Sequence, residues 1–279
     1  MRSLRVALWL HYRGTAFRGW QRQLQGPTVQ ATVEEALRAR GIASGLAAAS
    51  RTDRGVHARQ QVASLRVPPD TDLVALAAAL RGPDWGCAAA AGAPRGFHAQ
   101  WSPSIKEYRY RLCLGAPPAR WSGSAWDLTT EPRVAGRRLD PELLARALGA
   151  ACGRRDFGAF HAASSVRRSR TLESATVRGT HDGLLEARLS GDGFGRYQVR
   201  ALLGGAALVA SGSVPWHTWQ EALGRAVQFE GLLAPPHGLI LWSIAFAGAP
   251  LFAPGAGARC PRLPPFLDAD GETGPARGG

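Results

Sequence analysis

This sequence of 279 residues has few cysteines, a single lysine and no long hydrophobic run. A membrane-spanning helix needs about 20 consecutive apolar residues, and the N-terminus alternates in polarity without the apolar core of a signal peptide. Neither a membrane protein nor a secreted one is therefore expected. The four cysteines, Cys87, Cys113, Cys152 and Cys260, are scattered and show no paired metal spacing. We expect free thiols, no disulfide scaffold and a cytoplasmic protein.

Positive charge is abundant, and almost all of it is arginine. Lys106 is the only lysine among 34 basic residues, which outnumber 21 acidic ones and give a net charge of +13. A GC-rich genome would explain the preference for arginine over lysine, but not the excess of cations. Arginine binds phosphate in bidentate fashion and stacks on bases. Because no basic amphipathic helix is evident, RNA is favoured over a membrane surface as the partner.

Hydrophobic periodicity predicts a mixed α/β protein. The pattern predicts strands at 4–11, 60–67 and 184–190, and helices at 28–40, 72–80 and 140–152 with a long helix after 194. On the first strand, Leu8 and its alternate neighbours form the apolar face, and Trp9 and His11 belong to the other face. The order strand, helix, strand, strand, helix, strand in the first half is that of a split βαβ unit.

The segment 50–58 carries the most suggestive chemistry. Its single acid, Asp53, lies between Arg51 and Arg54, and Gly55 permits a tight turn. The flanking guanidinium groups should keep Asp53 ionised, with its pKa lowered by about 1–3 units if one of them lies within contact range. An ionised carboxylate on a loop is suited to act as a nucleophile or an anchor, although ordinary surface ion pairs explain the same residues.

A second segment, 107–112, alternates between aromatic and basic side chains. Tyr108 and Tyr110 share one face of the predicted strand, and Arg109 and Arg111 share the other. Such an aromatic stripe is more often core than ligand platform. A base drawn out of a duplex nevertheless needs a stacking surface, which is worth about 1–3 kcal/mol per base.

Several motifs together resemble the tRNA pseudouridine synthase A family. The Arg-Thr-Asp-x-Gly-Val-His-Ala segment at 51–58 resembles its catalytic loop. Further similar blocks, which extend the resemblance over roughly residues 4–246, lie at 12–23, 96–100, 106–110, 153–160, 166–171, 194–204 and 234–241. The resemblance implies two ferredoxin-like, RRM-like halves that form one continuous, mostly antiparallel sheet flanked by helices, with a central active-site cleft.

The resemblance also implies a reaction and the residues that carry it out. Uridine would be isomerised to pseudouridine by cleavage of the C–N glycosidic bond, rotation of the uracil and formation of a C–C bond. Asp53 would be the nucleophile, Arg200 would orient it, Arg51 would fill the space of the flipped base, and Tyr108 would pack on the uracil. Attack on the base and attack on C1′ of the sugar both stay open. No cofactor or metal is expected.

Transfer RNA is the implied substrate, modified in its anticodon stem-loop at positions 38 to 40. By resemblance, the RNA-contacting residues are Phe97, His98, Gln100, Arg167, Arg168, Ser169 and Arg170. His98 fits a core position equally well. Gln100 stands where the family usually has arginine, and Ala201 stands where it commonly has asparagine. These two departures keep open an alternative, an RNA-binding paralogue that has lost turnover.

The resemblance implies a domain division as well. We expect an N-terminal half over residues 1–100 that carries the Asp53 loop, and a C-terminal half over 101–250 that carries Tyr108 and Arg200. The Pro/Gly-rich residues 251–279 are expected to be a disordered tail. The family resemblance further implies a homodimer.

Overall fold

One mixed sheet of eleven strands organises the protein. The computed structural model describes residues 3–162, 169–180, 182–225, 229–247 and 267. The strands are β1 (Leu4–Tyr12), β2 (Ala47–Ala48), β3 (His57–Val67), β4 (Arg81–Gly82), β5 (Trp85–Gly92), β6 (Pro103–Cys113), β7 (Trp126–Asp127), β8 (Gly153–Asp156), β9 (Ser169–Gly179), β10 (Leu185–Gly191) and β11 (Leu239–Phe246). The helices are α1 (Val29–Arg38), α2 (Leu73–Ala79), α3 (Pro141–Ala150), α4 (Gln198–Ala210) and α5 (Trp216–Arg225). No helix in the described ranges is long and apolar enough to cross a bilayer.

The strand order shows how the two halves of the chain combine. The sheet runs β4-β5-β1-β3-β11-β6-β10-β9-β8, with β2 beside β3 and β7 beside β6. β5-β1-β3 and β11-β6-β10-β9 each have the order expected of a split βαβ unit. The halves join where β11 runs parallel to β3, with Ile240 opposite His57 and Leu241 opposite Ala58. The predicted continuous α/β sheet is confirmed, and the domain division at residue 100, between β5 and β6, stays a prediction.

Three helices begin where their capping residues predict. The side chains of Thr28, Asp72 and Asp140 accept hydrogen bonds from backbone N–H groups in the first turns of α1, α2 and α3. Such caps satisfy donors that have no partner within the helix. The apolar stripe of α1, formed by Val29, Val33 and Leu37, is buried as predicted. Local sequence therefore decides where these helices begin and which face they bury.

The first strand is buried on both faces, which the alternating pattern did not predict. Trp9 and His11 belong to the face opposite Leu8, yet they are buried together with it. His11 lies close against Gly86 of the neighbouring β5, where an added Cβ would come within 2.7 Å of the imidazole. β1 is also a central strand of the sheet, paired with β3 and β5.

Most of the predicted tail, 251–279, lies outside the described residues. Its one described residue, Leu267, is buried in a small apolar cluster with Trp121 and Trp242.

Gly204 on the buried helix α4 should resist substitution. A Cβ at this position would lie 1.8 Å from the backbone oxygen of Leu232, so Gly204→Ala forces the 232–234 segment away from the helix. We expect the free energy of unfolding to fall by about 2–3 kcal/mol, measured by urea denaturation. Gly149→Ala in α3 is the matched control, because nothing lies within 4 Å of its Cβ, and it should be neutral or stabilising by up to about 1 kcal/mol. Equal effects of the two changes would contradict the close packing at Gly204.

Candidate active site

A tight turn presents the Asp53 carboxylate just before β3. The backbone N–H of Val56 donates to the carbonyl oxygen of Asp53 at 3.1 Å, and Gly55, the third residue of the turn, has a φ of +84°. Glycine adopts this conformation without steric cost. A side chain at Gly55 would also meet Pro236, 3.0 Å away. The predicted loop ends at Val56, because His57 already belongs to the strand.

Hydrogen bonds from buried polar groups hold the segment that leads into this turn in place. Gln61, fully buried, donates to the carbonyl oxygen of Ser50 at 2.6 Å and accepts from its N–H at 3.2 Å. The hydroxyls of Thr52 and Tyr12 are hydrogen-bonded at 2.8 Å, and the N–H of Trp20 donates to the carbonyl oxygen of Thr52 at 3.0 Å. A fully satisfied polar network of this kind rigidifies what it supports. Asp53 therefore projects from a fixed base.

Arg200 approaches Asp53 from the first turn of α4. Its Nη1 lies 3.8 Å from Oδ2 of Asp53, and its Nε donates to the carbonyl oxygen of Ala234 at 2.7 Å. The N–H of Ala234 donates in turn to the carbonyl oxygen of Arg200 at 3.1 Å. The guanidinium is thus fixed at one side and directed at the carboxylate on the other. The structure brings together the two residues that the resemblance paired.

The predicted direction of the Asp53 pKa shift is wrong. Burial raises the pKa of Asp53, and the opposing charges of Arg200 and Arg196 only partly counteract that effect. Arg51 and Arg54, which were expected to lower it, are exposed on either side of the turn. Sequence neighbours on a turn point apart, whereas desolvation acts on the carboxyl directly.

Tyr108, on β6, lies next to the turn. Its hydroxyl is hydrogen-bonded to that of Ser50 at 2.8 Å, and its ring meets Phe194 edge-on, with centroids 5.3 Å apart. Burial raises the pKa of Tyr108 to about 12, and the charge of Asp53 adds to this. The hydroxyl therefore stays protonated at neutral pH. Tyr110, two residues on, is fully buried in the core.

The predicted RNA-contacting segment 96–100 lies away from the carboxylate, beside the far end of β11. Phe97 is buried and packs against Phe246, with centroids 5.2 Å apart. His98 is partly exposed and stacks on the exposed ring of Trp101 at 6.0 Å, and Gln100 is exposed. β11 begins next to the Asp53 turn and ends at Phe246, so the two regions are separated by about 20 Å of strand.

The second predicted RNA-contacting segment is described only in part. Ser169, which is exposed, and Arg170 begin β9, whereas Arg167 and Arg168 lie outside the described residues. Lys106 on β6 lies near Arg170, and burial followed by the charge of Arg170 lowers the pKa of the Lys106 ammonium. Lys106 and Arg170 are therefore two neighbouring cations within the described residues.

Sequence reasoning missed two groups of residues at this site. Arg196 and Tyr197 precede α4 and lie beside Arg200, and Gln61 anchors the turn from within β3. Gln61 carried a usable signal, because it alternates with the apolar Ala63 and Leu65 along β3, and a glutamine on such a face needs buried partners. Arg196 carried no such signal in the sequence, since its orientation depends on the backbone conformation of Tyr197.

The arrangement supplies a partly desolvated carboxylate, a fixed cation and an aromatic ring. Within the described ranges, no group of three or more histidine, cysteine or acidic side chains could hold a metal ion. The chemistry that this geometry supports is attack by Asp53, with Arg200 balancing its charge.

Comparison with known proteins identifies the family. A sequence model described as tRNA pseudouridine synthase matches residues 147–247. The tRNA pseudouridine synthase A of Beijerinckia indica is 35% identical over 251 residues, covering 87% of this chain and 94% of its own. That of Frankia casuarinae is 36% identical over 276 residues, covering 94% of this chain and 97% of its own. The chain belongs to the tRNA pseudouridine synthase A family.

Membership of the pseudouridine synthases confirms the predicted resemblance and the predicted class of enzyme, an isomerase. A solved structure of a Cbf5-Nop10-Gar1 complex is a remote match, with a TM-score of 0.35 and 12% identity over 72% of this chain and 44% of that chain. The candidate site combines Asp53 from the N-terminal part of the chain with Arg200 and Tyr108 from the C-terminal part.

Proposed function

We propose that this protein isomerises uridine to pseudouridine in the anticodon stem-loop of tRNA, at positions 38 to 40, with Asp53 as the nucleophile. The observation that carries the proposal is the pairing of the Asp53 carboxylate, whose side chain is 23% exposed, with Arg200 at 3.8 Å. The two relatives described above, which align with this chain over almost their whole length, are named tRNA pseudouridine synthase A. A homodimer and a cytoplasmic location, both implied by the resemblance, stay predictions.

The chemistry needs one group to attack and one to hold charge. Asp53 forms a covalent bond to the nucleotide, either at the base or at C1′ of the sugar, the C–N glycosidic bond breaks, and Asp53 is released once the rotated uracil is joined to C1′ through C5. The proton lost from C5 balances the one gained at N1, so the reaction is an isomerisation with no co-reactant. Arg200 keeps its proton at working pH and acts on the carboxylate as a fixed charge.

The uridine must leave its stem before Asp53 can reach it. Extrusion costs a few kcal/mol of stacking and pairing, and an exposed cation at the rim of the turn can enter the vacated space. Arg51, which is exposed two residues before Asp53, would be that cation. Tyr108 lies near the carboxylate, buried against Phe194, and its ring would pack on the extruded base.

The rest of the tRNA would lie along the sheet. The partly exposed 98–101 turn, about 20 Å from the carboxylate along β11, is far enough away to contact a different part of the stem. Backbone contacts of this kind are read by shape and charge rather than by sequence. The net charge of +13 supplies the long-range attraction.

The test is to incubate the full chain with unmodified tRNA and map pseudouridine by position. Product at 38, 39 or 40 supports the proposal, and product elsewhere contradicts the anticodon assignment. Tight binding without product would favour the RNA-binding paralogue, which the departures at Gln100 and Ala201 suggest.

Two substitutions at Tyr108 should separate its ring from its hydroxyl. Tyr108→Phe keeps the ring and should retain most of the activity, because a hydroxyl with a pKa near 12 that bonds to Ser50 is a poor acid or base at neutral pH. Tyr108→Ala removes a stacking surface worth about 1–3 kcal/mol, and kcat/KM should fall by about 10- to 100-fold. Initial rates of pseudouridine formation measure both. A Phe variant as damaged as the Ala variant would make the hydroxyl the working group.

A further inference from the structure

Tyr197 has a backbone conformation that tyrosine rarely adopts. Its φ is +69° and its ψ is −5°, and it is the only residue other than glycine with a positive φ in the described part of the chain. In the left-handed region the Cβ of an L-residue approaches the following carbonyl, and only glycine, asparagine and aspartate visit it readily. Strain of this kind persists where surrounding structure enforces it, and it concentrates at functional sites.

The turn around Tyr197 is held from several sides. The N–H of Gly195 donates to the side-chain oxygen of Gln198 at 2.7 Å, and the N–H of Ala162 donates to the carbonyl oxygen of Arg196 at 3.0 Å. Gly195 lies so close to His161 that an added Cβ would be 3.0 Å from the Cβ of His161. The backbone before α4 therefore cannot relax without breaking these contacts.

The strained backbone places the Tyr197 ring beside two guanidinium groups. The Cζ of Arg196 lies 4.7 Å from the ring centroid, and that of Arg200 lies 5.3 Å from it. Arg196 also donates from Nη2 to the Tyr197 hydroxyl at 2.8 Å. Cations within about 6 Å of an aromatic face are attracted by the ring. These two arginines are the ones whose charges act on Asp53.

We propose that Tyr197 is a positioning residue, which uses its left-handed backbone to set its ring between Arg196 and Arg200 and so hold both cations toward Asp53. Asparagine or glycine would suit the backbone better, so the gain from tyrosine must come from its side chain. The inference rests on the proposed function, because the reaction is its readout. By this inference, Arg196 acts on Asp53 only when the Tyr197 ring holds it in place.

Tyr197→Asn and Tyr197→Phe, made in the full chain, test the proposal. Tyr197→Asn suits the left-handed backbone and removes the ring, so we expect the Tm to rise by a few degrees while kcat falls by about 10- to 100-fold through misplacement of the arginines. Tyr197→Phe keeps the ring and should stay within about fivefold of wild-type kcat. In both, KM for tRNA should change less than kcat.

The pH profile gives a readout that a packing role would not move. The charged groups facing Asp53 are Arg200 on α4 and Arg196 before it, and Tyr108 faces it from β6 as a neutral group. When the cations are less well held, the acid limb of kcat should move to higher pH in Tyr197→Asn. Trp216→Leu is the control, because it removes a ring that lies 4.5 Å from Arg146, a residue of α3, and it should leave the limb in place.

The outcomes are distinct. Wild-type kcat and an unmoved acid limb in Tyr197→Asn overturn the inference, and so does a fall in Tm together with kcat, which would make the ring a packing element. A wild-type chain that makes no pseudouridine refutes the proposed function, and the inference with it, before any variant is compared. A higher Tm, a lower kcat and an acid limb shifted to higher pH in Tyr197→Asn support the inference.

Discussion

Asp53→Asn should abolish pseudouridine formation while leaving the fold and tRNA binding intact. The amide has the shape of the carboxylate but cannot attack carbon, so the chemical step loses its nucleophile. Removal of a nucleophile from an enzyme typically costs about 10⁴- to 10⁶-fold in kcat, and we expect a loss of at least about 10⁴-fold. Single-turnover reaction with tRNA measures the loss, and filter binding and circular dichroism show that affinity and fold persist.

A second aspartate provides the control for this change. Asp84 pairs with Arg13 at 3.5 Å, and both side chains are substantially exposed. Asp84→Asn makes the same chemical change in a solvated pair, which contributes at most about 1 kcal/mol to stability, and it should react at the wild-type rate. Product from Asp53→Asn at a rate near that of Asp84→Asn would refute Asp53 as the nucleophile.

Arg200→Met should lower activity at neutral pH by about 100-fold or more, the loss expected when a positioned charge-stabilising group is removed. Arg200 is the first of the charges that lower the pKa of Asp53, against the larger raising effect of burial. Without it the pKa rises further, so the fraction of ionised Asp53 at a given pH falls. Activity should therefore recover in part as pH is raised, and the acid limb of the profile should lie above its wild-type position.

Stability should change with pH in the same variant. A carboxyl whose folded pKa is raised above its unfolded value binds its proton more tightly in the fold, so stability is lost as pH rises through that interval. Arg200→Met widens the interval, and its stability deficit should be smallest in acid, where Asp53 is protonated. The unpaired carbonyl of Ala234 adds about 1–3 kcal/mol of destabilisation at every pH.

Arg146→Met is the matched control for Arg200→Met, since it removes an arginine that stacks on Trp216 of α5. It should leave the acid limb unchanged. Urea denaturation between pH 4 and 8 and initial rates over the same range measure both effects. An Arg200→Met variant with a wild-type acid limb would show that another group sets the charge of Asp53.

Local rules in the sequence predicted much of the fold. The helix starts at 28, 72 and 140 could be predicted because the start of a helix depends on residues within one turn. The split βαβ order followed from the sequence of elements, and the strand junction confirmed that the two halves share one sheet. The resemblance paired Asp53 with Arg200 across 147 positions (200 − 53), and the structure places them 3.8 Å apart.

What could not be predicted depends on neighbours that are distant in sequence. The pKa of Asp53 was expected from Arg51 and Arg54, but burial by the rest of the fold decides it. The burial of Trp9 could not be predicted, because alternation along one strand does not show which faces of the sheet the rest of the fold covers. No residue pattern indicates that Tyr197 would have a positive φ, because tyrosine is not a residue that favours it.

The junction between the halves ties the candidate site to the stability of the protein. The described ladder between β3 and β11 follows directly on the turn that carries Asp53, and Ser50 with Tyr108 and Phe97 with Phe246 also join the two halves. Asp53 lies on one side of this junction and Arg200 lies on the other. Because buried side chains of both halves form one continuous core, substitutions that loosen the junction should change the distance between the two groups and lower the melting temperature together.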